Sequence, residues 1–264
     1  MDLGLTNKTA LVTGSTAGIG FAIAKLFARE GSAVVVNGRT QQRVDEAIAR
    51  IRGEQSNARV SGVAADLGTK TGVELLAGRL LEIDILVNNL GIFEVKAFTD
   101  ISDEDWMRFF EVNVMSGVRL SRFYLPRMLQ RNWGRIVFIS SESALNIPAE
   151  MIHYGVTKTA QVALGRGLAE LTKGTGVTVN SVLAGPTRSE GVETFLGRMA
   201  ESQQSNVATI EQNFFRAARP SSLLQRFAAP EEVAPMVVFV CSELASATNG
   251  AALRVEGGVV RSIV

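Results

Sequence analysis

The stretch ALVTGSTAGIG at residues 10–20 joins a short apolar run, three glycines and the beginning of an amphipathic segment. This order predicts a buried strand, a tight turn and a helix. Glycines let the backbone approach a bound group, and the free N–H groups of a helix N-terminus favour a phosphate. The spacing G-x-x-x-G-x-G differs from the dinucleotide fingerprint G-x-G-x-x-G. From this stretch alone, a turn that binds nothing therefore stays an alternative.

Six further apolar runs alternate with amphipathic stretches along the rest of the chain, without a linker, repeat or charge block between them. This alternation predicts one α/β domain over residues 1–264, a Rossmann-type doubly wound parallel sheet of about seven strands with helices on both faces. Ligands bind such sheets at the carboxyl ends of the strands. The further predicted strands are residues 33–37, 59–64, 84–89, 135–140, 177–183 and 252–256.

Composition limits the partners and the compartment that we expect. The 27 basic and 26 acidic side chains leave a net charge of +1, which predicts no nucleic acid partner and no anionic membrane surface. No apolar run approaches the roughly 20 residues of a membrane helix. A single cysteine, Cys241, and an N-terminus without a signal-peptide pattern predict a cytoplasmic protein. The single histidine, His153, cannot build a metal site, so we expect no metal.

Four polar residues end the fifth predicted strand or lie in helical patterns. Tyr154 and Lys158 are four residues apart, on one helix face, where an ammonium would lower the tyrosine pKa and suit it to acid–base work. Ser141 ends the fifth strand, where its hydroxyl could orient a carbonyl group. Asn113 lies in a helical pattern that asparagine disfavours, which is typical of a functional position. A solvated helix face and ordinary turn chemistry are the alternatives.

The end of the second strand indicates the cofactor. NAD-binding folds place an acidic residue there for the ribose 2′-hydroxyl. The segment Val36–Thr40 reads VNGRT and has no acid, and Arg39 could bind a 2′-phosphate. We therefore expect NADP(H) over NAD(H), with NAD(H) and a plain surface arginine as the alternatives. Asp66 and Leu67 after the third strand, and Asn89 and Gly91 after the fourth, are placed to line the adenine and ribose.

Together, TGSTAGIG, NNLG, the Asn of VNV, the second Ser of ISS and YGVTK resemble the short-chain dehydrogenase/reductase family, over essentially the whole chain. Among members of that family, the chain resembles ketone and 3-oxoacyl-thioester reductases. The resemblance implies reduction of a carbonyl compound to an alcohol, or the reverse. It implies that Tyr154 is the general acid and that Ser141 polarises the carbonyl. It further implies that Lys158 lowers the tyrosine pKa and binds the nicotinamide ribose, and that Asn113 holds a relay water.

The same resemblance implies a cofactor site, a substrate lid over residues 188–226, and a homo-oligomer, either a tetramer or a dimer. The apolar side chains in the lid could pack together or contact the substrate. A cofactor-binding sensor or interaction protein with the same fold and no turnover is the alternative function. The expected apolar lid residues are Phe195, Leu196, Met199, Phe214 and Phe215, and the expected cofactor contacts are Gly14, Ser15, Thr16, Gly18, Ile19, Gly20, Asn37, Arg39, Asp66, Leu67, Asn89, Gly91, Tyr154, Lys158, Gly185 and Thr187.

Overall fold

The computed structural model describes residues 1–263, and within them seven parallel strands form one sheet in the order β3-β2-β1-β4-β5-β6-β7. The predicted doubly wound sheet is confirmed, and every predicted strand matches an observed one to within one residue at each end. The strands are β1 (Thr9–Val12), β2 (Ala33–Gly38), β3 (Val60–Ala64), β4 (Ile85–Asn88), β5 (Gly134–Ser141), β6 (Val177–Ala184) and β7 (Ala252–Val255).

Nine α-helices of the described residues connect and cover the strands. Between the fourth and fifth helices, Glu111–Met115 form a π-helical turn, so Asn113 lies in a bulge and not in a regular α-helix. Such bulges are frequent at functional sites. The helices are α1 (Gly18–Arg29), α2 (Gln41–Glu54), α3 (Lys70–Arg79), α4 (Asp103–Phe110), α5 (Ser116–Gln130), α6 (Ile152–Glu170), α7 (Glu190–Ser202), α8 (Val207–Ala217) and α9 (Pro230–Val240).

Two apolar clusters hold helices against opposite faces of the sheet. Val34 and Val36 of β2 point into the cluster beneath α1, α2 and α9, whereas Val35 points into the cluster beneath α3, α5 and α6. Successive strand residues face opposite sides, so a strand that is covered on both faces is apolar throughout. This explains why β1, β2 and β4 are nearly continuous apolar runs.

The strand order changes direction beside β1, which has β2 on one side and β4 on the other. Chain connections leave the sheet in opposite directions at this point, and a crevice opens at the carboxyl ends of β1 and β4. The glycine-rich turn follows β1, and Asn89 follows β4. The topology alone therefore brings two of the predicted motifs to one edge.

Helices α7 and α8 pack on each other beyond this edge, through a small apolar cluster of their own. Leu196 and Phe215 are buried in that cluster, so packing is their role. Phe195, Met199 and Phe214 pack against the cluster and also line a cavity at the carboxyl end of the sheet. The apolar residues of this segment thus divide between the two roles that the sequence left open.

Candidate active site

A cavity of about 640 Å³ lies at the carboxyl ends of β1, β4, β5 and β6. Its walls come from the loops that follow these strands and from α6, α7 and α8. Most of the expected site residues line it, although they are spread over more than 160 positions of sequence. Those that line it are Gly18, Ile19, Gly20, Asn89, Gly91, Ser141, Tyr154, Lys158, Gly185 and Thr187.

Tyr154 and Lys158 lie one turn apart on α6, and both line the cavity. The Lys158 Nζ atom is 5.6 Å from the centre of the Tyr154 ring. This ammonium donates hydrogen bonds to the carbonyl oxygen of Ile139 (2.9 Å) and to Oε1 of Gln161 (3.1 Å). The two predicted side chains are thus neighbours, and two polar atoms of the protein fix where the lysine ammonium lies.

Ser141 is the last residue of β5, and its hydroxyl is hydrogen-bonded to the Tyr154 side chain. The same hydroxyl accepts the backbone N–H of Ser143 (3.1 Å) and so caps the short 3₁₀ turn that follows the strand. That contact fixes the serine side chain, so the Ser141 and Tyr154 hydroxyl groups lie beside each other in the lining of the cavity. A carbonyl oxygen placed there could contact both groups.

Burial shifts the pKa values of both Tyr154 and Lys158, and the shift of Tyr154 is opposite to the one that the sequence predicts. Burial raises the pKa of Tyr154 to about 12, and its hydrogen bond with Ser141 offsets this rise only in part. Burial also lowers the pKa of Lys158 to about 8. In the protein by itself the cost of burying a phenolate dominates the tyrosine pKa. The lowering of that pKa by Lys158 stays a prediction.

Asn113 is fully buried in the π-helical turn, and its side chain is used within the protein. Its Oδ1 accepts the N–H of Ile92 (2.7 Å), and its Nδ2 donates to the carbonyl of Ile92 and to the hydroxyl of Thr157, both at 3.0 Å. The backbone carbonyl of Asn113 accepts a hydrogen bond from Nε2 of Gln161 (2.6 Å). Asn113 therefore anchors the loop after β4, and its carbonyl connects to Lys158 through Gln161.

Gln161 was missed by the sequence analysis, although a signal exists. It lies three residues after Lys158, on the same face of α6. Its fully buried side-chain amide accepts from the Lys158 ammonium and donates to the Asn113 carbonyl. The family resemblance implies that Asn113 holds a water that links Lys158 to solvent. In the structure, the Gln161 side chain contacts both Lys158 and Asn113 directly.

The glycine-rich turn has the shape that its sequence predicts. Gly14 and Gly18 have φ values of +58° and +56°, which favour glycine, and an added Cβ at Gly20 would lie 2.4 Å from Nδ2 of Asn89. Asn89 braces the turn by donating to the carbonyls of Thr13 (2.9 Å) and Gly14 (3.0 Å). No side chain caps the N-terminus of α1, and its first turn holds no acidic residue. Its N–H groups remain free for an anion.

Ser15 and Asn37 were expected to contact a cofactor, but both side chains are buried and act inside the protein. The Ser15 hydroxyl donates to the carbonyl of Val12 (2.7 Å) and accepts the N–H of Asn37 (2.9 Å). Asn37 accepts the N–H of Gly14 (3.1 Å). Its Nδ2 donates to the carbonyls of Val63, within β3, and of Ala65, directly after that strand. Their side chains therefore hold the turn in place from below.

The remaining expected cofactor residues lie at two ends of the crevice. Arg39 and Asp66 are exposed beyond the ends of β2 and β3, outside the cavity, and Arg39 makes no hydrogen bond or ion pair with residues 1–263. Leu67 has a buried side chain that packs in the core, so only its backbone could meet a ligand. At the other end, Thr187 lines the cavity and donates to the carbonyl of Gly185 (2.9 Å).

A family model described as short chain dehydrogenase matches residues 8–198. The chain belongs to the short-chain dehydrogenase family. It is 50% identical, over 100% of both chains, to the uncharacterised oxidoreductase YvaG of Bacillus subtilis (strain 168). It is 33% identical to the 3-oxoacyl-[acyl-carrier-protein] reductase FabG of Aquifex aeolicus (strain VF5), over 98% of this chain and 100% of that one.

Among solved structures, L-sorbose reductase from Gluconobacter frateurii, complexed with NADPH and L-sorbose, superposes with a TM-score of 0.93 at 31% identity and covers 100% of both chains. These similarities confirm the predicted family. They also support an oxidoreductase that acts on CH–OH or C=O groups and uses a nicotinamide cofactor. No helix within residues 1–263 is both long enough and apolar enough to cross a membrane.

In this short-chain dehydrogenase, a second polar group lies beside the Ser141–Tyr154 pair, and the sequence analysis missed it. The Arg219 guanidinium donates from Nε to Glu142 Oε1 (2.7 Å) and from Nη1 to Glu150 Oε1 (3.1 Å). We call these three residues the polar wall, and all three line the cavity. Arg219 is 77 positions from Glu142 in sequence, so no local pattern could have paired them.

Proposed function

We propose that this enzyme reduces a ketone to a secondary alcohol with NADPH, or catalyses the reverse oxidation, with Tyr154 as the general acid or base. The observation that carries the proposal is the hydrogen-bonded pair of Ser141 and Tyr154 in the cavity, with Lys158 5.6 Å from the tyrosine ring. Two adjacent hydroxyl groups in a cavity can hold a carbonyl oxygen and deliver a proton to it.

The crevice beside β1 fits a dinucleotide. The free N-terminus of α1 and the left-handed glycines Gly14 and Gly18 form a cradle that suits the pyrophosphate. Arg39 is exposed at the end of β2 without a partner among residues 1–263, which leaves its guanidinium free for a 2′-phosphate. NADPH would supply the hydride, and Thr187 and Lys158 would lie near its nicotinamide half. The NADPH in L-sorbose reductase supports this choice of cofactor.

Each residue of the pair has a separate task in the proposed reduction. With a pKa near 12, Tyr154 carries its proton at neutral pH, which is the form that a general acid needs. Ser141 donates to the substrate carbonyl and directs its oxygen toward the tyrosine. As the alkoxide forms, it takes the tyrosine proton, and the Lys158 ammonium stabilises the phenolate that is left. Gln161 and the Ile139 carbonyl hold that ammonium in place.

The segment 188–226 is the proposed lid, because α7 and α8 cover the cavity with their own apolar cluster. A cytoplasmic homo-oligomer, a tetramer or a dimer, stays our expectation for the assembly. Light scattering coupled to gel filtration would measure the oligomer's mass directly.

The test of the proposed function follows the loss of reduced-cofactor absorbance against a panel of ketones, with NADPH and NADH in parallel. We expect turnover with at least one ketone and a higher kcat/KM with NADPH. Tyr154→Phe should lower kcat at least about a thousandfold, since both acid and phenolate are lost, while the Kd for NADPH changes by less than about threefold. Full activity in Tyr154→Phe, or tight NADPH binding without reduction of any carbonyl, would contradict the proposal.

A further inference from the structure

The polar wall offers hydrogen-bonding atoms that the protein leaves unused. Arg219 is almost fully buried, and its Nε and Nη1 atoms are hydrogen-bonded, but Nη2 has no acceptor among residues 1–263. Oε2 of Glu142 is buried and has no donor, and Oε2 of Glu150 also accepts no hydrogen bond from the described residues. Of these three atoms, Glu142 Oε2 is the one that is buried without a partner among residues 1–263, which is costly, so such a cluster beside a cavity is typical of a binding site.

The wall lies next to the reacting groups. Glu142 directly follows Ser141 in the chain, and the Glu142–Arg219 pair is close enough to Tyr154 to act on its hydroxyl electrostatically. The wall is also held firmly, because two carboxylates fix the planar guanidinium from two sides. A substrate whose carbonyl contacts Ser141 and Tyr154 therefore places its neighbouring atoms against a rigid polar surface.

The unpaired atoms of the polar wall determine which substrate groups can bind next to the carbonyl. Arg219 Nη2 can only donate, and Glu150 Oε2 can only accept. A hydroxyl group both accepts and donates, so it can satisfy the two together. A carboxylate could accept from Arg219, but the wall holds two carboxylates and one guanidinium, and this net negative charge would repel it. An unsubstituted alkyl group would leave the polar atoms unpaired.

The other lining of the cavity is apolar. Phe93 lies edge-on to Tyr154 at 6.5 Å between ring centres, and Phe195, Met199 and Phe214 complete this surface. Resting on the proposed function, we infer that the substrate is a neutral hydroxy ketone that also carries an apolar group, and that Arg219 and Glu150 bind its hydroxyl. The wall is thus a specificity site, separate from the groups that handle the proton.

The test compares ketones of one carbon skeleton. The substrates are hexan-2-one, its 1-hydroxy, 3-hydroxy and 4-hydroxy derivatives, and 2-oxohexanoate, each with NADPH. We expect at least one hydroxy derivative to exceed hexan-2-one in kcat/KM on the order of tenfold to a hundredfold, because a site built to bind a hydroxyl discriminates against analogues that lack it. 2-Oxohexanoate should fall below hexan-2-one.

Substitutions in the polar wall test whether it causes the preference for hydroxy ketones. Arg219→Lys keeps the charge but loses the planar fork, and Glu150→Gln removes only the carboxylate charge of a half-exposed residue. Each should reduce the hydroxyl preference to below about threefold, whereas Glu201→Gln, at an exposed position without an ion pair among residues 1–263, should keep it. Thermal unfolding and the NADPH Kd report whether each variant is folded.

Two results would overturn the inference: equal kcat/KM for hexan-2-one and every hydroxy derivative, or a preference that survives in both folded wall variants. Failure of the proposed function looks different, because no carbonyl would be reduced at all. In that event, calorimetric binding of hexan-2-one and its hydroxy derivatives to the NADPH-loaded protein and to Glu150→Gln decides the inference. Tighter binding of a hydroxy derivative that the variant loses would support it, and equal binding would refute it.

Discussion

Replacing Gln161 tests how the protein controls the Lys158 ammonium. The Gln161 Oε1 atom accepts from Lys158 Nζ at 3.1 Å, so Gln161→Glu would place a carboxylate against the ammonium with little change of shape. At an effective dielectric constant of about 20, two unit charges at this distance attract by about 5 kcal/mol. Burying the carboxylate offsets much of this attraction, so we expect the Lys158 pKa to rise by about 1–3 units.

The pH dependence of kcat/KM for reduction measures this shift. The lysine pKa of about 8 predicts an alkaline limb near pH 8 in the unmodified enzyme, because the phenolate loses its stabilising ammonium above that pH. Gln161→Glu should move the limb upward by at least about one unit. Gln161→Leu removes a hydrogen bond to the charged form, so its limb should move below pH 8.

The pH dependence of the free energy of unfolding gives a second measure of the Lys158 pKa. Burial lowers the folded-state pKa of Lys158 from 10.5 to about 8, so the unfolded chain binds more protons between these values. The contribution of Lys158 to the free energy of unfolding therefore rises as pH increases from 8 to 10.5. Gln161→Glu should flatten this rise. Gln130→Glu, an exposed change of the same charge at the end of α5, is the control. Unmoved limbs in both folded Gln161 variants would refute the reasoning.

Three further substitutions test the cofactor crevice and the core. Arg39→Ala should raise the NADPH Kd about tenfold and leave the NADH Kd within about twofold, because only NADPH carries the 2′-phosphate. Fluorescence titration measures both Kd values, and equal weakening of both would refute the 2′-phosphate assignment. Gly20→Ala would place a methyl group 2.6 Å from the Gly14 carbonyl oxygen, so the turn must move. NADPH affinity should therefore fall at least about tenfold, and wild-type affinity would show that the turn is adaptable. Phe138→Ala removes a fully buried ring from the central strand β5 and should lower the free energy of unfolding by about 3–5 kcal/mol in urea denaturation. A loss below about 1 kcal/mol would show that the surrounding core collapses into the space left by the ring.

Local features of the sequence determined the sheet and the order of its elements. The central strands are covered on both faces, so β1, β2 and β4 are nearly continuous apolar runs that can be recognised without a neighbour. The spacing of Tyr154 and Lys158 was equally readable, because one helical turn brings residues four apart to one face. The glycines of residues 14–20 indicated a turn close to another group, and the structure shows how close the backbone comes.

Side-chain direction and long-range pairing could be decided only by the tertiary structure. Ser15 and Asn37 lie in the expected motifs, but their side chains bond to the backbone beneath the turn, since unpaired groups there would be costly. The pKa of Tyr154 is raised mainly by burial, which elements distant in sequence bring about, so no local pattern could predict it.

The polar wall shows the same division most clearly. Glu142 follows the strand that ends at Ser141, so its sequence position already brings it to the active-site edge of the sheet. Its partner Arg219 comes from the segment after α8, 77 positions away, and only the folding of α7 and α8 over the cavity joins them. The sequence by itself thus determined the fold and the order of its motifs, because both arise from local periodicity and spacing. The specificity surface arises from contacts between distant segments, which packing alone establishes.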